Sequence, residues 1–198
     1  MHVHAYDEGR ETLEAEPCAA MVRAIRKACP GVPISQTTAL YIAGDDPEWR
    51  LALVACWTEL PELVTANQGE EGIVELCEHV LDRGVGIEAG LLSVGDAEAF
   101  VESPIAARCT RVLIEPLDTD PDVAVAHAAA MEDVLAQAEI ALEQVHHGDL
   151  VASWAVSKRA AHRGHGIRTG LEDTTVLPDG TLAKDNAELV RTALQLLA

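Results

Sequence analysis

Short runs of apolar and β-branched residues alternate along the chain with longer segments whose apolar positions recur every three or four residues. The short runs predict strands at 1–6, 32–38, 62–67, 85–91, 111–117, 142–148 and 166–172. The segments between them carry helical signals. Cys18, Val22, Ile25 and Cys29 share one face of a helix that starts near Glu14 and stops at Pro30-Gly31. Asp46-Pro47 and Asp120-Pro121 each place a capping carboxylate before a proline, the order that a helix start favours. Ile73, Leu76, Cys77 and Val80 form a stripe closed by Gly84. Val123, His127, Ala130, Val134 and Ala138 mark the longest helix, and others are predicted at about 96–107, 152–163 and from Asn186.

Strict alternation of strand and helix predicts a parallel sheet with helical crossovers. Seven strands fit a (β/α)8 TIM-type barrel short of one βα unit, or an open doubly wound sheet. A complete barrel usually takes about 250 residues, and 198 residues fall short by roughly one unit plus loops. With no linker or low-complexity stretch in view, residues 1–198 are read as one domain.

Composition narrows the function. Fourteen basic against 33 acidic residues give a formal charge of −19, which argues against nucleic acid and anionic membrane as partners. An anionic substrate would need a local cation. Five cysteines with no CxxC pair predict reduced thiols and a cytoplasmic location. No apolar run approaches membrane length, and no secretory signal pattern opens the chain.

Two constellations carry candidate chemistry. His2 and His4 are two residues apart, so on a strand both imidazoles face one way. Arg168, Gly170 and Glu172 share parity in the last predicted strand, with Asp173 just beyond it, where barrel enzymes place catalytic groups. Two imidazoles and a carboxylate make a zinc set with an open position, and a closed barrel would bring its first and last strands together. The bland alternatives are polar residues at a frayed terminus and an interior Arg168–Glu172 ion pair. Glu88 and Glu115 lie in apolar strand runs and need partners, Arg168 among the candidates. If Val145 faces the helices, His146 faces the barrel interior as an acid–base or structural imidazole. The basic stretch around Lys158, Arg159 and Arg163 reads as a solvated helix end.

GIRTGLEDTTVLPDGTLAKDNAELV (166–190) and HVHAYDEGRETL (2–13) resemble the closing strand-and-loop and the His-x-His strand of the beta-keto acid cleavage enzyme family. VPISQTTAL, ELVTANQG and VGIEAGL stand in the order of its middle strands. The resemblance implies a barrel with one zinc held by His2, His4 and Glu172. It implies Asp173 as general base, with Arg168 and Glu88 in its charge network. Thr37, beside Thr38, matches a Ser/Thr that binds the substrate carboxylate, and Asn67 and Gly69 match an Asn-x-Gly segment lining the pocket; Ala39 stands where the family has glycine. The implied reaction is an acyl and carbon–carbon transfer: a beta-keto acid and acetyl-CoA give acetoacetate and a new CoA thioester. It also implies that the family's first strand and helix would precede Met1, so the exposed strand edges predict a homo-oligomer. The alternatives are a truncated or inactive metal-binding paralogue, and a zinc-dependent aldolase or hydrolase that does not use CoA.

Overall fold

The computed structural model describes residues 1–197. Strands and helices alternate as the hydrophobic pattern predicts. A seven-stranded sheet takes its strands in chain order: β1 (His2–Val3), β4 (Ser35–Thr37), β5 (Leu63–Asn67), β6 (Gly86–Leu91), β7 (Arg111–Ile114), β8 (Glu143–His146) and β9 (Gly166–Ile167). The β1–β4, β4–β5, β7–β8 and β8–β9 pairs are parallel. The order never reverses, so there is no switch point of the kind that defines a doubly wound sheet. This is the strand order of a TIM-type barrel short of one βα unit.

The chain falls into two compact units, Met1–Ala89 with Glu102–Thr110, and Gly90–Val101 with Arg111 onwards. In the first, α1 (Ala15–Ala28), α2 (Pro47–Ala55) and α3 (Ile73–Asp82) bury Cys18, Val22, Val54, Leu76 and Val80. Asp46 caps α2 by accepting from the Trp49 N–H, as Asp46-Pro47 predicted. Gly84 ends α3 at φ +77°, a left-handed turn that favours glycine. A small antiparallel hairpin, β2 (Tyr6–Asp7) with β3 (Arg10–Glu11), follows β1. The predicted strand at 1–6 is two short pieces, broken at His4 and Ala5, and the hairpin turns at Glu8 and Gly9, which both take positive φ.

In the second unit, α5 (Pro121–Gln137) and α6 (Ser153–Arg163) pack together over β8, and α4 (Val94–Glu102) buries Ala97 and Phe100. Asp120 caps α5 from the Asp122 and Val123 N–H groups. The last helix, α7 (Asn186–Leu196), seats Leu189 and Ala193 against Trp154 of α6. Val112, Leu113, Ile114, Ala128, Met131 and Leu135 are fully buried. The predicted strand at 166–172 is corrected to two residues: 171–173 form a turn in which Asp173 and Thr174 donate to the Gly170 carbonyl. Strand parity therefore does not decide where Glu172 and Asp173 point. Among the described residues, no helix is long and apolar enough to cross a membrane.

Candidate active site and metal ligands

In the first unit the two histidines converge. His2 Nε2 and His4 Nε2 lie 3.0 Å apart, with rings edge-on at 78°. Their outer nitrogens are anchored. His4 Nδ1 is 3.1 Å from Glu11 Oε1, and His2 Nδ1 is 3.2 Å from Thr65 Oγ1. A carboxylate only accepts, so His4 Nδ1 carries the proton there. Thr65 donates its one hydroxyl proton to Glu88 at 2.8 Å, so His2 Nδ1 donates to Thr65. Both Nε2 atoms are then lone-pair nitrogens facing each other. Two such lone pairs at 3.0 Å repel unless a cation or a proton lies between them. Outer hydrogen bonds that fix the tautomer and turn the second nitrogen inward are what metal-ligating histidines require. The arrangement fits zinc.

Glu88 is buried at 1% exposure, so the strand-end carboxylate in water is ruled out for it. Ser35 Oγ, also buried, is 3.1 Å from Thr65 Oγ1 and extends the network. Thr37 accepts from the Ala39 N–H, which leaves its own proton to donate. Thr38 is tied up, donating to the Thr65 carbonyl at 2.7 Å. Asn67 donates to Glu70, a carboxylate that also pairs with the fully buried guanidinium of Arg50 and receives the Leu40 N–H. Gly69 is exposed beside this brace.

In the second unit Asp173 is 5% exposed and flanked by cations. Its Oδ1 lies 3.1 Å from His147 Nδ1 and 3.4 Å from Arg168 Nη2. The other face of His147 meets Glu115, with Nε2 3.0 Å from Oε2. Burial works against charge on both groups, yet the contacts win. Asp173 is held below its usual carboxylate range by His147 and Arg168. Burial and Arg168 disfavour the His147 imidazolium, but Asp173 and Glu115 raise its pKa to about 9. Asp173 is thus an ionised carboxylate between two cations. Glu172 is half-exposed, 3.7 Å from Arg168.

The expected facing of His146 is corrected. His146 turns to the helices, with Nε2 3.5 Å from Glu132 of α5, and His147 takes the other side. A helix-facing position looks apolar by default, but Glu132 and Arg159 make a polar lining there that a strand pattern cannot reveal. For the same reason Arg159 is not a solvated residue, since it donates to both oxygens of Glu132. Sequence reasoning missed Glu11, Thr65 and His147. The pair His146-His147 was the one visible signal, and its parity was read the wrong way.

Residues 121–198 match the model of the beta-keto acid cleavage enzymes. Across 222 aligned residues the chain is 26% identical to 3-keto-5-aminohexanoate cleavage enzyme of Fusobacterium nucleatum subsp. nucleatum, covering 99% of this chain and 75% of that protein. Both matches make the chain similar to the beta-keto acid cleavage enzymes, the first over its C-terminal part and the second over nearly its whole length. Among solved structures, apo ObcA matches with a TM-score of 0.69 at 15% identity, over 99% of this chain and 56% of that one. A ternary complex of ObcA with a C4-CoA adduct and oxalate gives 0.71 at 16%, over 98% and 59%. A 3-dehydroquinate dehydratase from Geobacillus kaustophilus HTA426 gives 0.55 at 14%, over 92% and 74%. Such identities establish the fold alone, and the chain spans little more than half of ObcA's length. The family match takes in α5 to α7, and with them the segment from Arg168 to Asp173.

Proposed function

We propose that this chain, working as one (β/α) domain, is a zinc-dependent beta-keto acid cleavage enzyme that uses acetyl-CoA and releases acetoacetate with a new CoA thioester. The observation that carries the reading is the opposed pair of Nε2 atoms on His2 and His4, each turned inward by an outer partner. In this reading His2, His4 and Glu172 hold zinc, two imidazoles and one carboxylate leaving an open position for substrate. Zinc, when bound, supplies Lewis acidity toward the ketone oxygen of a beta-keto acid.

The rest belongs to the chain's own groups. Asp173, kept ionised by His147 and Arg168, takes a proton from the substrate carbon. Arg168 also offers a charge to an anionic substrate, the local cation that a chain of net charge −19 needs. Thr37 keeps a hydroxyl proton to donate to the substrate carboxylate. Glu88 positions His2 through Thr65. Asn67, Gly69 and Thr38 shape the adjoining backbone. The C4-CoA adduct bound by ObcA supports a CoA co-substrate by likeness of fold. We further propose a cytoplasmic homo-oligomer.

The test pairs metal analysis with an acetoacetate assay across a panel of beta-keto acids. Asp173→Asn keeps shape and removes the base. Zinc content should persist while acetyl-CoA-dependent cleavage falls by roughly two to four orders of magnitude, the worth of a positioned general base. Turnover that survives Asp173→Asn refutes the mechanism.

A further inference from the structure

A second cluster of ligand chemistry lies in the second unit, apart from the groups assigned above. Glu132 of α5, His146 at the end of β8 and His165 just after α6 come together, and their ligand atoms all lie within 4.8 Å of one another. Glu132 Oε1 is 3.0 Å from His165 Nε2 and 3.5 Å from His146 Nε2. The imidazoles stack with centroids 4.9 Å apart and planes 11° from parallel, so both rings present the same edge to the carboxylate.

We propose that Glu132, His146 and His165 form a second transition-metal site, for a zinc-class divalent ion, with a structural role. Donor atoms about 2.0–2.1 Å from a tetrahedral zinc lie roughly 3.4 Å apart, and the two carboxylate–imidazole spacings match that span. His146 supplies the independent sign of a ligand: it is fully buried, and neither Nδ1 nor Nε2 has a hydrogen-bond partner. Leaving such a group unpaired costs on the order of a hydrogen bond or more. A metal on Nε2 removes that cost for one of its nitrogens.

An ion-pair network without metal is the competing account, because Arg159 donates to both oxygens of Glu132 at 2.8 and 2.6 Å, and Arg163 lies 3.3 Å from Oε2. That network satisfies Glu132 but gives the His146 ring only one long approach, Nε2 to Glu132 at 3.5 Å, and no hydrogen bond. Carboxylate ligands are ordinarily braced by such outer hydrogen bonds, and Arg163 is largely in solvent. The nearby positive charge sets an affinity below that of an all-neutral site. His165 is partly exposed, which gives water access to a fourth position. Two imidazoles and one carboxylate select zinc, cobalt or nickel over calcium or magnesium. The ion would tie α5, β8 and the start of β9 together, three residues before Arg168.

The test uses the full chain carrying His2→Ala/His4→Ala, stripped with chelator and titrated with Co2+ under visible absorption. One equivalent with ligand-field bands and no thiolate charge-transfer band is expected. Zn2+ should displace it and raise the melting temperature. Adding His165→Ala should abolish the bands and the melting shift; His165→Gln, which keeps a donor toward Glu132, should also abolish the bands while melting like the parent without metal. Failure of the double variant to bind Co2+, or binding indifferent to both His165 substitutions, overturns the proposal. One equivalent in the unmutated chain that vanishes with His2 and His4 refutes this site and leaves the other standing. One that survives their loss and vanishes with His165 does the reverse.

Discussion

His147 is a nearly buried charge in direct contact with the proposed base, and replacing it with glutamine isolates what it does. The imidazole lies 3.1 Å from Asp173 and 3.0 Å from Glu115, and its pKa is raised from 6.5 to about 9. The sign follows from linkage. A histidine whose folded pKa lies above its unfolded value binds more protons when folded, so its contribution is full below pH 6.5 and is lost as pH rises through about 9. At 1.36 kcal/mol for each tenfold, the full contribution is about 3 kcal/mol, and roughly 2–3 kcal/mol of it remains at pH 7. Removing one member of a buried ion pair costs about 3–5 kcal/mol. Glu115 is one-fifth exposed and can be rescued by water, which argues for the lower end. The prediction is that His147→Gln loses about 2–3 kcal/mol at pH 7 by urea unfolding. Between pH 7 and 10 the unmutated chain should lose stability, while the variant should change much less through this range. Equal losses in both proteins over that range, or a penalty below about 1 kcal/mol at pH 7, would refute the argument that an imidazolium bridges the two carboxylates. In the variant Asp173 keeps Arg168 alone, so the acid limb of the acetoacetate assay should move to higher pH.

Three further outcomes are open to measurement. His4→Ala should lower zinc at the first site below detection by elemental analysis in a His165→Ala background; full zinc there would sink the assignment. Leu189→Ala, at a fully buried position against Trp154, should cost about 2–5 kcal/mol in urea unfolding, the range for large-to-small core changes; a cost under 1 kcal/mol would mean that α7 adds little to the core. Arg50→Met should destabilise by about 3–5 kcal/mol, because Glu70 is left without its guanidinium and the Glu71 carbonyl without a donor; an unchanged urea midpoint would show that water replaces them.

The sequence by itself determined the parts set by local physics. Period-two and period-3.6 apolar patterns located all seven strands of the parallel sheet and the helices between them, because burial on one face leaves that imprint whatever the partner. Asp46 and Asp120 fixed two helix starts, since a cap is a contact between residues two or three apart. The His-x-His spacing foretold two imidazoles on one side. Tertiary structure decided whatever depends on a distant neighbour. Alternation alone allowed either a barrel-type order or a doubly wound one, and strand pairing settled it. The final strand ended at Ile167 rather than at 172, because the following residues turn on the Gly170 carbonyl. His146 and His147 are indistinguishable by type, and which one meets Asp173 depends on Glu132, a residue from another helix that gives His146 a polar lining to face. Glu11 and Thr65 look like ordinary surface and strand residues, and only proximity in space makes them the groups that turn His4 and His2 toward each other.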